Sequence, residues 1–341
     1  MRNRLSLARF GAALLVALLA ALPARAESTT LKVAYIPIMP MAQLYVLMGE
    51  GWAEEAGLDL ELTRFSSGPA IVQALASGEY GVVYFGIGPA MVARANGIDV
   101  KVLAANGIEQ VALMARGDLA GRLDSAASAA EGFAAFHAEQ GRPAKIATLP
   151  PGSVPDTVLQ HYLQVVAEID PADVEVLGMG AGQVQQALLS GAIDGASILE
   201  PVLTIVAQRD STARIVATGG EMLENQPGAI LAVRERAIAA HPAAVQALVE
   251  LHVRATELIV EDPQRAAAHV HAAIGQGLID EATLFAALTS EPNNQIADPH
   301  SIIEATRRMH DFQAAIGTLR KPVPLDELFE TRFYDAIKGR S

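Results

Sequence analysis

The chain has 341 residues, 51% of them hydrophobic and 18% charged, which gives two ordinary domains ample core and excludes a disordered chain. It contains no cysteine, so neither a disulfide framework nor thiolate chemistry is available to it. Its formal net charge of −13 argues against nucleic acid and anionic membrane surfaces as partners.

Arg2, Arg4 and Arg9 open the chain, Phe10 to Leu22 is apolar but short for a membrane span, and Ala24-Arg25-Ala26 offers a small-x-small cleavage site. Residues 1–26 read as a secretory signal peptide, with an uncleaved anchor as the alternative. Cleavage after Ala26 takes four arginines from the 25 basic residues and leaves 21 against 38 acids, a formal charge of −17. No cysteine follows the apolar run, which excludes lipoprotein anchoring. No later stretch is apolar enough to span a membrane, so the expectation is an exported, soluble, periplasmic protein.

In chain order, Leu31 to Ile36 reads as a strand, and the prolines of the loop Ile36-Pro-Ile-Met-Pro-Met41 keep it out of helix. Ala42 to Gly57 reads as a helix with a glycine stop and a stripe of Leu44, Leu47 and Met48. Leu58–Phe65 is a second strand, Pro69–Ser77 a helix, Val82–Gly86 a third strand, Pro89–Asn96 a helix and Val100–Ala105 a fourth strand. Val111–Arg116 reads as a strand leading away from this lobe. Residues 117–143 are rich in Ala and Gly and carry little signal.

A second lobe then repeats the first at an offset of 113 positions. Leu31-Lys-Val-Ala-Tyr-Ile-Pro37 lines up with Ala144-Lys-Ile-Ala-Thr-Leu-Pro150. Gln73-Ala-Leu-Ala-Ser-Gly78 lines up with Gln186-Ala-Leu-Leu-Ser-Gly191. Both Ser-Gly pairs are placed to stop a helix with a left-handed glycine. Strands alternating with helices indicate parallel sheets covered on both faces. Gly228–Arg234 reads as a strand leading back, and helical periodicity follows over Val245–Ile259, Pro263–Ile274, Glu281–Leu288 and Pro299–Ile316. The expected organisation is lobe one over 27–116, lobe two over 117–227, and a return strand with C-terminal helices over 228–341 packing mainly on lobe one. Two crossing strands, Val111–Arg116 and Gly228–Val233, would form a hinge, with a cleft at the carboxyl ends of the strands.

The series Leu44-Tyr45-Val46, Gly51-Trp-Ala-Glu-Glu-Ala-Gly-Leu-Asp-Leu60, Leu75-Ala-Ser-Gly78, Gly86–Pro89, Ser190-Gly-Ala-Ile-Asp194 and Glu200-Pro201 resembles the periplasmic solute-binding proteins of ABC importers. The branch is the one serving sulfonates, taurine, nitrate and thiamine precursors, described as SsuA/THI5-like or NMT1-like. The resemblance implies a two-lobe, type II-like fold that closes on its solute, and delivery to an inner-membrane ABC permease by a monomer. It does not settle the ligand. The alternatives are a ligand-sensing subunit of a membrane receptor, or an enzyme on the same fold. The thiamine-pyrimidine synthases that share this fold carry a cysteine-rich iron motif, which a chain without cysteine cannot supply.

Loops preceding helices would bring backbone N–H groups and small residues to the cleft. The expected ligand-binding residues are Met39, Met41, Gln43, Ser67, Gly68 and Gly88 from lobe one, and Ser153, Asp156 and Glu200 from lobe two. Each has a structural alternative. Ser153 with Asp156 fits a capping box, the two methionines fit a core, and Glu200 fits an ion pair. The spacing Gly178-Met-Gly-Ala-Gly182 is not a dinucleotide fingerprint, G-x-S-x-G is absent, and His269 and His271 fall on different helix faces. No cofactor, metal site or catalytic set is expected. The proposed loop tips hold no Lys or Arg. This favours a small organic solute with an apolar body, carrying an amine near Glu200, over nitrate, bicarbonate or sulfate.

Overall fold

The computed structural model describes residues 28–275 and 277–339; the expected signal peptide lies outside them. Numbering only helices of eight or more residues, lobe one runs β1 (Thr29–Tyr35), α1 (Ala42–Gly49), β2 (Leu58–Arg64), α2 (Gly68–Leu75), β3 (Val82–Gly86), α3 (Ile87–Ala95) and β4 (Val100–Ala105). After the short β5 (Gly107–Ile108), lobe two runs β6 (Ala112–Ala115), α4 (Gly117–Ser125), α5 (Ala129–Gln140), β7 (Ala144–Thr148), α6 (Val154–His161), β8 (Val174–Gly178), α7 (Ala181–Ser190), β9 (Gly195–Ile198), α8 (Val202–Arg209) and β10 (Arg214–Ala217). The chain returns through β11 (Ala229–Arg234) to α9 (Pro242–Glu261), α10 (Pro263–Val270), α11 (Glu281–Leu288), β12 (Asn294–Gln295) and α12 (His300–Ala315).

The two principal sheets have five strands each. Their orders are β2-β1-β3-β11-β4 and β8-β7-β9-β6-β10, the same pattern. Within each, four strands run in one direction and one is antiparallel to both its neighbours: β11 in the first and β6 in the second. The repeat at 113 positions is therefore a repeat of whole lobes. Gly78 and Gly191 both take the expected left-handed conformation, at φ 77° and 73°. The expected single helix over Ala42–Gly57 is instead broken at Gly51, φ 75°, and resumes as one turn over Trp52–Glu55.

The expected hinge strands require correction. Residues 111–116 contribute β6, which pairs with β9 and β10 inside the second sheet. Residues 228–233 contribute β11, which pairs with β3 and β4 inside the first. Each sheet thus takes its antiparallel strand from beyond the neighbouring lobe. The crossings themselves are short. Asn106 N donates to Ala229 O at 2.9 Å, Gly228 N to Gly107 O at 3.1 Å, and Glu109 N to Gln226 O at 2.8 Å. A third segment joins them, since β12 pairs with β5.

Residues 117–143, silent in the sequence, form α4 and α5. The missed signal is Ser128-Ala-Ala-Glu131, where the Ser128 hydroxyl accepts from Glu131 N at 3.2 Å and caps α5. Among the C-terminal helices, α9 and α10 pack on α1, α11 packs on α8 of lobe two, and α12 touches both α3 and α6. Among the described residues no helix is long and apolar enough to cross a membrane.

Candidate functional site

Three helix starts converge where the lobes meet. α2 begins after Ser67, α3 after Gly86, and α6 after Ser153; α3 and α6 pack against each other across the lobes. Between them lies a cavity of about 30 Å³, room for little more than a water molecule. Lobe one lines it with Ile36, Ile38, Pro40 and Met41, with Gly68, Gly86 and Pro89, and with Gly228 and Ala229 from the crossing; lobe two contributes Leu149, Ser153, Val154, Pro155 and Leu199. A second chamber, of about 160 Å³, shares Ile38 and Leu199 with the first. Its other walls are Pro37, the start of α7 at Ala181 and Gly182 with Gln185, Ile198 and Glu200 to Val202, and Ile274 and Ile279 from the C-terminal part. No Lys or Arg lines either chamber.

The loop from Ile36 to Met41 is held from behind. The Tyr45 hydroxyl donates to Ile38 O at 3.1 Å, and Asn106 Nδ2 donates to Pro40 O at 2.9 Å. Arg64, at the end of β2, donates to the Tyr35 hydroxyl at 2.8 Å and to Ala273 O at 3.0 Å.

Of the nine expected residues, Met41, Gly68 and Ser153 line the first chamber and Glu200 the second. Gly88 sits beside it at the lobe contact. A Cβ on Gly88 would stand 2.9 Å from Gln313 Nε2 and 3.3 Å from Gly152 O. Met39 is fully buried in the core and lines neither chamber. Gln43 is also fully buried. Its amide donates to Asn106 O and to Gln295 Oε1, both at 2.8 Å, which makes it a brace between α1 and the hinge. The Ser67 hydroxyl caps α2 by accepting from Ala70 N at 3.3 Å.

The Ser153 hydroxyl accepts from Asp156 N at 3.3 Å, and the Asp156 carboxylate accepts from Gly152 N at 3.1 Å. The capping alternative therefore describes both side chains. Burial pushes the Asp156 carboxyl up, against the pull of the Gly152 amide and Gln160. Glu200 is likewise pushed up by burial; Thr204 opposes this through its amide, at 3.0 Å, and its hydroxyl, at 2.8 Å, and Ser290 also opposes it. The Glu200 carboxylate thus has hydrogen-bond partners within the chain. Pro89, Pro155 and Leu199 lie on loops expected to reach the cleft, and they line it; sequence reasoning missed Ile274 and Ile279, from the C-terminal part.

Two matched α/β lobes, a threefold hinge strap and a cavity at the lobe contact define the architecture of periplasmic binding proteins. The nitrate-binding NrtA of Synechocystis PCC 6803 superposes with a TM-score of 0.75 at 15% identity, over 92% of this chain and 89% of that one. The alkanesulfonate-binding SsuA of Xanthomonas axonopodis pv. citri, bound to MOPS, superposes at 0.70 with 18% identity, over 89% and 99%. The chain belongs to the NMT1-like family, whose model matches residues 24–274. A putative binding protein of Brucella abortus is 25% identical over 320 residues, 92% of this chain and 94% of that protein. The bicarbonate transport ATP-binding protein CmpC of Synechocystis is 28% identical over 235 residues, 66% of this chain but only 35% of that longer protein. Among the described residues no group of three or more His, Asp or Glu side chains is disposed to hold a metal ion.

Proposed function

We propose that this chain is the exported substrate-binding component of an ABC importer. It captures a small organic solute between its lobes and presents it to a permease in the inner membrane, as a monomer and without catalysis. The observation that carries this reading is the cavity at the contact of two matched lobes in a chain of the NMT1-like family. Met41, Gly68, Gly88 and Ser153 are the proposed solute contacts, with Glu200 at the second chamber. Met39, Gln43, Ser67 and Asp156 act through the loops and helix starts they hold. The proposed division places the lobe boundaries at the crossings, near residues 106–111 and 218–228, and residues 1–26 serve as the export signal.

The test is a strain lacking the chain, supplied with candidate amides, heterocycles and sulfonates as sole nitrogen or sulfur source. The expected outcome is loss of both growth on, and direct uptake of, one compound. A sensing role predicts altered transcription with uptake intact, and that result overturns the transport reading.

A further inference from the structure

The first chamber is short of hydrogen-bond donors in a way that its helix starts alone would not suggest. An α-helix offers free amides in its first turn, which suits anions. At α2, Pro69 has no N–H and Ala70 N is taken by the Ser67 hydroxyl. At α3, Pro89 has none and Ile87 N is taken by Gly228 O at 3.1 Å. At α6, Pro155 has none and Asp156 N is taken by the Ser153 hydroxyl. At these three starts the first-turn amides of Gly68, Gly88 and Val154 are the ones left without a bond among the described residues, one per helix, and only Gly68 and Val154 line the first chamber; at the second chamber the start of α7 adds the amides of Ala181 and Gly182. The prolines also turn carbon toward the solute, since Pro40, Pro89 and Pro155 line the first chamber and Pro37 and Pro201 the second.

We propose that the crevice takes an uncharged solute with an apolar body and one or two hydrogen-bond acceptors, and that it rejects small oxyanions. This rests on the solute-binding reading above. The acceptor end would meet the amides in the first chamber, while the body passes Ile38 and Leu199 toward Ile274 and Ile279 in the second. The comparison of magnitudes favours this class. Removing an anion from water costs several kcal/mol without a paired cation, and no Lys or Arg lines either chamber. Each helix dipole returns at most about 2 kcal/mol, and of the three starts at the first chamber the α6 dipole already faces the carboxylate of Asp156 in its own first turn. A trigonal or tetrahedral oxyanion has more acceptor positions than the Gly68 and Val154 amides and the Ser153 hydroxyl of the first chamber can fill. An uncharged carbonyl, sulfone or ring nitrogen is satisfied by one or two donors, and each buried methylene of its body adds about 0.8 kcal/mol. An amine near Glu200, expected from the sequence, is not part of this assignment, because Thr204 and Ser290 already engage that carboxylate.

The experiment is a thermal-shift screen followed by calorimetry on purified residues 27–341. One set of probes is sodium nitrate, bicarbonate, sulfate and ethanesulfonate at matched ionic strength. The other is a panel of uncharged sulfones, amides, lactams and nitrogen heterocycles, with ethyl methyl sulfone as the neutral counterpart of ethanesulfonate. The expected result is micromolar binding of at least one uncharged probe, no shift with the four anions at millimolar concentration, and loss of binding in Leu199→Trp, which adds bulk at a wall both chambers share. Micromolar binding of an oxyanion overturns this assignment and leaves the solute-binding reading standing. Binding of an uncharged probe that Leu199→Trp leaves unchanged places the compound elsewhere and also overturns it. If neither set binds, the solute-binding reading falls and takes this inference with it.

Discussion

A buried histidine gives lobe one a pH-dependent contribution to stability. His252, on α9, has no exposed surface; its Nε2 lies 2.8 Å from Ala105 O and its Nδ1 lies 3.4 Å from the Tyr84 hydroxyl. Nε2 therefore donates to the carbonyl and Nδ1 accepts from the tyrosine, so the ring is bound as the neutral tautomer. Burial lowers its pKa from 6.5 to about 4, against the pull of the Ala105 carbonyl. The unfolded chain takes up a proton near pH 6.5 and the folded chain resists doing so. This contribution to stability is present above pH 6.5 and is lost as pH falls through 6.5 to 4, up to about 3 kcal/mol. Denaturant midpoints measured from pH 7 to pH 4 should fall, and should fall less in His252→Gln. An identical slope in the variant rules out this source. Gln43 makes a related point about what a sequence can reveal. Its loop position beside Met41 suggested a ligand contact, but its partners are Asn106 and Gln295, the latter 252 positions away. Nothing local in the sequence announces such a pairing.

Among the elements, the hinge departs furthest from expectation. The strand pattern was legible because β1, β3, β7 and β9 are short apolar runs closed by Pro or Gly, and the offset of 113 maps one lobe onto the other. The exchange of β6 and β11 between sheets was not legible, because alternation along a strand reports burial and not which sheet buries it. The crossings are held by close backbone approach at Gly107 and Gly228, with the Gln110 side chain wedged against both. Gln110 is almost fully buried, and neither of its amide atoms has a hydrogen-bond partner among the described residues. A buried polar group without a partner costs about 1–3 kcal/mol. Replacing it with an apolar side chain of similar length removes that cost. Gln110→Met is therefore expected to raise the unfolding midpoint, by about 1 kcal/mol or more, where most buried substitutions lower it. A lower midpoint would mean that the amide is satisfied by ordered water in the hinge.

The whole molecule has two states in prospect, because the cavity described here is too small to admit what it would hold. A chamber of about 30 Å³ beside one of about 160 Å³ accepts a solute of several heavy atoms only if the lobes part and close again. The lobe contact is made without side chains on one flank. A Cβ at Gly86 would stand 2.7 Å from Val154 Cγ2, closer than real Cβ atoms approach, and Val154 is a short, stiff side chain on the opposite lobe. Closure at this distance therefore depends on glycine at position 86. The segments around 106–109, 226–229 and 294–297 join the lobes and are where bending is expected, while the helices α3 and α6 pack against each other across the lobe contact. A compact chain of this length has a radius of gyration of about 20 Å. Small-angle scattering of the purified chain should give a larger radius without its solute than at saturation. Gly86→Val should keep the larger radius at saturation and bind the solute about tenfold more weakly or worse, since overpacking at the contact costs about 1–3 kcal/mol. An unchanged radius in the native chain at saturating solute, or full closure of the valine variant, would show that capture does not proceed by bringing these two helix starts together.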